Sequence, residues 1–384
     1  QEGAVALKLA SAYVRPIAFR RADLRELRRS AQPGWQVEGA HGAVRAWVDI
    51  EAGRPVGAVA DLSGAQVSTR LGAGLPPLEL STLGGRLSGQ WGDEGFELQA
   101  RQLHFVTREG QHWPAADLFV AWSPAEGRRP ESGELRADRI ELGALGQLAG
   151  RLPLGEATHA ALARFAPQGR VENLQARWQG APQAPQKYQA RGRVAGLQIA
   201  GAKASDAAGQ AVAGRPGVRN AAADFEFNEA GGKARLGLDD GALELPGVFE
   251  DPVLAFDRLS GDVQWQVAGE RITVSATQVR FSNADAQGEA QATWRTGDAA
   301  TNRFPGVLDL QGSLARANGA RVWRYLPVGV PKSARDYVRE AVPQAEVTDA
   351  RFRVKGALDD FPFDRQPGEF RVTGQVRNAT YAFV

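Results

Sequence analysis

The chain has 384 residues, of which 43% are hydrophobic and 23% charged, a composition typical of folded globular proteins and unlike disordered or collagen-like chains. Its formal net charge of +2 gives no sign of a surface that binds polyanions, so nucleic acid is not expected as a partner. Zero cysteines exclude a disulfide scaffold, a Cys-ligated metal site and a thiol nucleophile.

The start of the chain carries a short basic segment. RRADLRELRR at 20–29 predicts a helix with Leu24 and Leu27 on one side. Such a helix could be solvated or could lie on an anionic membrane surface, and we favour the solvated helix. No apolar run approaches the roughly 18 residues of a membrane-spanning helix. Because the sequence has no methionine and begins with Gln1, we interpret it as a processed or excised piece.

Alternating apolar and polar residues predict a mainly β protein. The pattern is clear at 96–101 and again at 272–277, and 45 glycines and 21 prolines supply frequent turns. Strands with one apolar face belong to antiparallel sheets that are solvated on one side. Polar, Pro- or Gly-rich stretches at 123–134, 181–186 and 200–220 are interpreted as surface hairpin connections, not domain linkers.

Helical spacing of apolar residues interrupts the strands twice. The first helical pair is predicted near 142–165 and the second near 320–342, where Pro331 occupies the first-turn position that proline favours. In each pair a Leu-Pro dipeptide, at Leu152 and at Leu326, separates the two helical stretches.

The chain contains an internal repeat at an offset of 176 residues. Residues 76–105 align without gaps with 252–281 and share nine identities, where composition alone gives about two or three. Both copies change alternation phase after Ala100 or Ala276, which predicts the same β-bulge in each. The offset returns between 167–180 and 343–356. We therefore divide the chain into the end of one unit (1–75), a full unit (76–251) and an incomplete unit (252–384).

Residues with catalytic or metal-binding chemistry are few and scattered. The four histidines, His41, His104, His112 and His159, have no metal-ligand or triad spacing, and no known catalytic motif occurs. The pairs Asp239–Asp240 and Asp359–Asp360 suit solvated turns better than a general acid/base couple or a cation site. We therefore expect no enzyme activity, no metal and no cofactor.

Several segments resemble the YhdP family, large AsmA-like proteins of Gram-negative bacteria. They are RYLP at 324–327, PKSARDYVREA at 331–341, VTDARFRVKG at 347–356, DFPF at 360–363 with GEF at 368–370, and the less specific segments 142–154 and 167–178. The resemblance covers most of the chain, and its motifs are structural in kind. Compared with the full pattern of that family, this sequence is expected to lack the N-terminal membrane helix and the C-terminal AsmA-like end.

The resemblance implies a long curved antiparallel sheet, groove- or taco-like, built from repeated units with short helical pairs inserted. It further implies a periplasmic bridge, anchored to the inner membrane by a helix outside this sequence, that carries phospholipid between the inner and outer membranes and supports the outer-membrane permeability barrier. The sequence does not indicate which proteins this chain binds. The alternative is a periplasmic β scaffold for envelope integrity, with its apolar face covered by its own chain in a sandwich or closed barrel and no lipid inside.

Alternation predicts which side chains would form the lipid-binding floor of such a groove. Each of them would equally suit a sandwich core. These candidates are Phe96, Leu98, Leu103, Phe105, Leu174, Trp178, Leu197, Ile199, Ile272, Val274, Val279, Phe281, Phe352 and Val354.

Overall fold

A computed structural model describes residues 36–52, 54–205, 211–297, 303–364 and 366–382. The basic segment at 20–29 lies outside the described residues. The strands of the first half are β1 (Gln36–Glu51), β2 (Arg54–Arg70), β3 (Leu78–Gly92), β4 (Gly95–Thr107), β5 (His112–Ser123), β6 (Ser132–Glu141), β7 (Gln168–Gln179) and β8 (Lys187–Ile199). Those of the second half are β9 (Ala202–Ser205), β10 (Ala211–Arg215), β11 (Gly217–Asn228), β12 (Gly231–Glu244), β13 (Val253–Ala268), β14 (Arg271–Ser282), β15 (Ala286–Arg295), β16 (Val307–Asn318), β17 (Gln344–Ala357) and β18 (Gly368–Thr380).

Helices interrupt the strands at two places. Between β6 and β7 lie α1 (Leu142–Leu148), a 3-10 turn (Ala149–Arg151) and α2 (Glu156–Phe165). Between β16 and β17 lie a 3-10 helix (Gly319–Tyr325) and α3 (Lys332–Ala341), and a further 3-10 turn (Leu358–Asp360) follows β17.

Sixteen strands of the described part of the chain form one antiparallel sheet. Its order follows the sequence, β1 to β8 and then β11 to β18, and the short strands β9 and β10 pair separately. Within the described residues the first and last strands of the order are not paired with each other, so the sheet is open. The predicted fold class, a mainly β protein with one long antiparallel sheet and short helices inserted, is confirmed.

The chain forms two compact units. The first comprises the described residues up to 166 together with 170–190, and the second comprises 167–169 and the described residues from 191 onward. In the first unit strands β1 to β7 run back and forth, and α1 and α2 leave from one end of them. In the second unit strands β11 to β18 repeat that arrangement, and the segment containing α3 leaves from the equivalent end.

We call the strand end from which the helices leave the helical end. The opposite end, which we call the loop end, carries the turns at 93–94, 124–131 and 180–186 in the first unit. In the second unit the loop end carries 229–230, 269–270, 296–306 and 358–367.

The elements recur at the offset of 176 residues. Helix α2 begins at Glu156 and α3 at Lys332, and β3 and β13 end 176 residues apart. The predicted β-bulge is present in both copies, because the register shifts between Ala100 and Leu103 and again between Ala276 and Val279. The proposed unit boundaries near 75 and 251 stay a prediction.

Candidate functional site

One face of the sheet in the first unit is apolar. Residues directly opposite each other on antiparallel strands point to the same side, so the pairing of strands defines rows across the sheet. One row runs over β4 to β7 as Leu98, Val120, Leu135 and Ala176. The neighbouring rows are Ala100, Leu118, Ala137, Leu174 and Phe96, Trp122, Gly133, Trp178.

The second unit presents an apolar face of the same kind. Over β11 to β18 one row consists of Phe225, Ala234, Val263, Ala276, Ala292, Leu310, Val354 and Phe370. The adjacent row consists of Phe227, Gly232, Trp265, Val274, Trp294, Leu308, Gly356 and Gly368. These two rows contain no charged or polar side chain.

The opposite face carries the charges. In the second unit Lys233 pairs with Glu226 at 3.1 Å between Nζ and Oε2, and Arg235 pairs with Asp262 at 3.2 Å. In the first unit Arg136 pairs with Glu134 at 2.6 Å, and the guanidinium of Arg136 also lies 4.8 Å from the ring centroid of Phe119, an aromatic residue on the polar face. The hydrogen bond from Arg136 holds the pKa of the Glu134 carboxyl below its ordinary value.

The apolar faces are only partly covered. Leu98 is 48% exposed, and Val372 and Val376 of β18 are 56% and 59% exposed. In a sandwich such inward-facing residues would be buried between two sheets. The described residues contain no second sheet apart from the small β9–β10 pair, so these exposed side chains are not enclosed in a sandwich.

Twelve of the fourteen floor candidates fall on these faces. In the first unit Phe96, Leu98, Leu103, Phe105, Leu174 and Trp178 share one face of the sheet. In the second unit Ile272, Val274, Val279, Phe281, Phe352 and Val354 share one face. Leu197 and Ile199 lie half-buried near the end of β8, beyond Gly196, whose φ of +61° breaks the alternation of that strand. The role of all fourteen candidates as lipid contacts stays a prediction.

Helices cover the helical end of the apolar face in the first unit. Leu148 of α1 is 1% exposed and packs with Leu80 and Trp113 of the sheet. Phe105 borders this cluster and stacks on Trp113, with ring centroids 5.7 Å apart. Phe105 is therefore part of a helix-covered core, whereas Leu98 lies on the uncovered floor.

In each unit the segment after the first helical stretch, which we call the crossing segment, contacts residues at both strand ends. In the first unit Pro153 lies near Gly72 at the helical end, while a Cβ at Gly155 would lie 3.4 Å from the Cα of Gln183 at the loop end. In the second unit the N–H of Val328 donates to Val248 at 2.9 Å, and a Cβ at Gly329 would lie 2.8 Å from the ring of Phe361. Two residues of extended chain span at most about 7 Å, so these crossing segments hold opposite strand ends close together.

Polar contacts hold the 3-10 helix that precedes the crossing segment of the second unit at the helical end. Arg324 donates to Asp251 at 2.7 Å and to Asp285 at 2.8 Å, and the Tyr325 hydroxyl donates to Asp285 at 3.1 Å. The hydrogen bond to Asp251 raises the pKa of Arg324, and burial raises the pKa of Tyr325. These partially buried, charge-assisted contacts fix the helical segment to the sheet.

The sequence patterns missed several residues of the apolar faces. Trp122 and Val120 on β5, Leu135 on β6 and Trp294 on β15 belong to the same rows as the nominated residues. Alternation gave no signal on β5, because 118–122 (LFVAW) is a continuous apolar run in which Phe119 and Ala121 of the polar face are apolar as well. On β6 glycine and alanine occupy floor positions beside Leu135, which weakens the apolar pattern.

The residues with possible catalytic chemistry are not brought together. Asp239 is an exposed partner of Arg258 at 3.4 Å, and the ring of His104 lies on the polar face beside Gly84. Within the described ranges no group of three or more His, Cys, Asp or Glu side chains could hold a metal ion. None of the helices that the structure describes is long and apolar enough to cross a membrane.

Comparison with known proteins adds a family and one curated relative. A family model described as YhdP protein matches residues 3–384. The intermembrane phospholipid transporter YhdP of Escherichia coli (strain K12) is 24% identical over 296 residues, which cover 72% of this chain and 21% of the relative. The chain thus spans about a fifth of the length of that relative. No solved structure matches.

Proposed function

Because the chain belongs to the YhdP family, we propose that it is a segment of a periplasmic bridge that carries phospholipid acyl chains between the inner and outer membranes. The acyl chains lie on the apolar face of each unit, and the charged face is turned to water. The segment acts as a carrier surface with no chemical step. Anchoring to the inner membrane belongs to parts of the protein outside this sequence.

The observation that carries the proposal is that the rows on one face of each unit hold apolar side chains, whereas the charged pairs lie on the other face. Exposed apolar side chains that lie together on one face mark a surface that binds an apolar partner. The curated relative is named as a phospholipid transporter, so phospholipid tails are the partner that best fits the surface.

The energetics of lipid transfer explain why such a surface is useful. At about 0.8 kcal/mol per CH₂ group, exposing two sixteen-carbon chains to water costs on the order of 25 kcal/mol. A floor of Leu, Val, Ala and aromatic side chains replaces water along the whole path. Since the rows contain no polar partner that would hold a lipid at one position, tails can move from row to row without a large barrier.

The scaffold alternative requires that the chain itself cover the apolar face. Among the described residues such cover is provided at the helical end, around Leu148. Leu98 and the valines of β18 remain exposed, which favours the lipid carrier.

A matched pair of substitutions tests the proposal. Leu98→Asp places a charge on the apolar face, and Gln99→Asp places the same charge on the adjacent residue of the polar face. We expect the phospholipid that copurifies with the chain to fall strongly in Leu98→Asp and to be unchanged in Gln99→Asp, because a carboxylate is costly beside acyl chains. Lipid phosphate per mole of purified protein is the measurement, and circular dichroism checks the fold of both variants.

Two results would contradict the proposal. One is a wild-type chain, expressed in the envelope, that carries no lipid under conditions where a known carrier retains it. The other is an equal lipid content in Leu98→Asp and Gln99→Asp. The first result would favour the scaffold.

A further inference from the structure

A row of aromatic residues lies near the loop end of the apolar face in the first unit. Strand pairing places Trp91 opposite Phe96, Phe96 opposite Trp122, and Gly133 between Trp122 and Trp178. The rings of Phe96 and Trp122 stack with centroids 5.8 Å apart. The large rings thus form a continuous line across β3 to β7.

The second unit has aromatic residues in the row of Val274, the repeat mate of Leu98, which lies one row farther from the loop end than the mate of Phe96. Phe227 and Trp265 flank Gly232, and Trp294 follows across Val274. The ring of Phe304, from the connection between β15 and β16, stacks on Trp294 with centroids 6.0 Å apart. We call these residues of the two units the aromatic row.

Indole N–H groups in the aromatic row point toward the loop end. Trp91 donates to the carbonyl of Pro55 at 2.9 Å, Trp122 to the carboxylate of Glu131 at 2.7 Å, and Trp294 to the carbonyl of Pro305 at 2.8 Å. All three acceptors lie in or next to loop-end connections. Each of these rings therefore has its apolar body on the floor and its polar edge toward water.

Two tryptophans show that this orientation is not general. Trp113, near the helical end, is 8% exposed, and its buried indole N–H has no hydrogen-bond partner. Trp178 lies in the aromatic row, but its ring covers Gly133 and its N–H is likewise buried without a partner. The amphipathic arrangement is thus a property of Trp91, Trp122 and Trp294.

Tryptophan with an apolar body and a satisfied polar edge is the residue that proteins place where hydrocarbon meets lipid headgroups. We propose that the aromatic row marks the level of the glycerol ester region of a bound phospholipid. The headgroup then lies beyond the loop end, and the acyl chains run along the strands toward the helical end. This inference rests on the proposed function and adds the orientation of the lipid.

Depth-dependent fluorescence quenching tests the orientation. The parent variant carries Trp→Phe substitutions at every tryptophan except Trp122, so Trp122 is its single reporter. The second variant adds Trp122→Phe and Leu118→Trp, so its single reporter is at position 118. The two reporters lie on the same strand and face, four residues or about 13 Å apart. Each protein is loaded with phosphatidylcholine that bears a nitroxide either near the ester end or near the methyl end of one acyl chain.

We expect the ester-end nitroxide to quench Trp122 more strongly than the methyl-end nitroxide, and the order to reverse for Leu118→Trp. Equal quenching of both reporters by both lipids, or stronger quenching of Trp122 by the methyl-end probe, would overturn the orientation. Bound lipid is measured in the same samples as phosphate per mole of protein. Lipid phosphate is also measured for the unsubstituted chain. If lipid is bound but the order is wrong, the orientation fails and the carrier function stands; if the unsubstituted chain binds no lipid, both fail.

Discussion

At the scale of the residue, Glu244 shows how single polar groups secure the edges of the second unit. Its carboxylate accepts the backbone N–H of Gly201 at 2.8 Å and also pairs with Arg219. The pKa of Glu244 is lowered from its ordinary value of 4.5, mainly by the hydrogen bond from Gly201 and further by the Arg219 guanidinium. Glu244 therefore ties the connection after β8 to the end of β12.

We expect Glu244→Gln to lower the free energy of unfolding by about 1 kcal/mol at neutral pH. Because the folded-state pKa is lowered, the carboxylate stabilises the fold above pH 4.5, and this contribution is lost as the pH falls through the folded-state value. The difference between wild type and variant, measured by urea unfolding, should shrink below pH 4.5. Glu226→Gln, which removes an exposed pair with Lys233, is the control with little expected change. A difference that grows on acidification would contradict the assignment.

Small residues opposite large ones are a second feature at this scale. A Cβ at Gly133 would lie 2.1 Å from the ring of Trp178, and one at Gly312 would lie 2.3 Å from the ring of Phe352. The large ring occupies the space that the neighbouring strand leaves empty. These glycines are required by close approach on the apolar face and not by a turn.

At the scale of the element, the β-bulges are the feature that the sequence predicted best. The change of alternation phase after Ala100 and Ala276 is explained by one residue in each copy with a left-handed backbone, Gln102 at φ +50° and Gln278 at φ +52°. The extra residue returns Leu103 and Val279 to the apolar face. Because alternation reports the face directly, a phase change in the sequence is enough to locate a bulge.

Substitutions at the bulge test its backbone conformation. Gln278→Val should lower the free energy of unfolding by about 1–2 kcal/mol, because a β-branched residue is poorly accommodated at positive φ. Gln278→Gly should be neutral or slightly stabilising, since glycine adopts this conformation without strain. Gln264→Val, on the polar face of β13, is the control and should change stability by less than about 0.5 kcal/mol. Urea midpoints are the measurement, and equal effects of valine at 264 and 278 would contradict the strained bulge.

The helical segments show where sequence patterns stop being informative. Helical spacing located α1, α2 and α3, but gave no indication that Gly155 and Gly329 reach the loop end of the strands. Such contacts join positions distant along the strand and depend on how the sheet bends. Likewise, the pairing of Arg324 with Asp251 and Asp285 spans 73 and 39 residues and has no local signature.

At the scale of the whole molecule, alternation predicted which side chains share a face but not what covers that face. Leu98 and Phe105 lie on the two sides of the bulge in β4, and both face the apolar side of the sheet. Yet Phe105 borders a helix-covered core, whereas Leu98 is 48% exposed. Cover depends on where helices return to the sheet. Which part of the apolar face is covered by helices therefore could not be predicted from the sequence.

If acyl chains occupy one face of the sheet along each unit, site-directed photo-crosslinking in the envelope should distinguish the two faces. A photoreactive phenylalanine analogue is placed one position at a time at Leu98, Val120 and Val274 on the apolar face, and at the adjacent Gln99, Ala121 and Ser275 on the polar face. We expect phospholipid adducts, detected by mass spectrometry, at the first three positions and none at the other three. Adducts of equal yield on both faces, or none on the apolar face of a folded chain, would contradict this expectation.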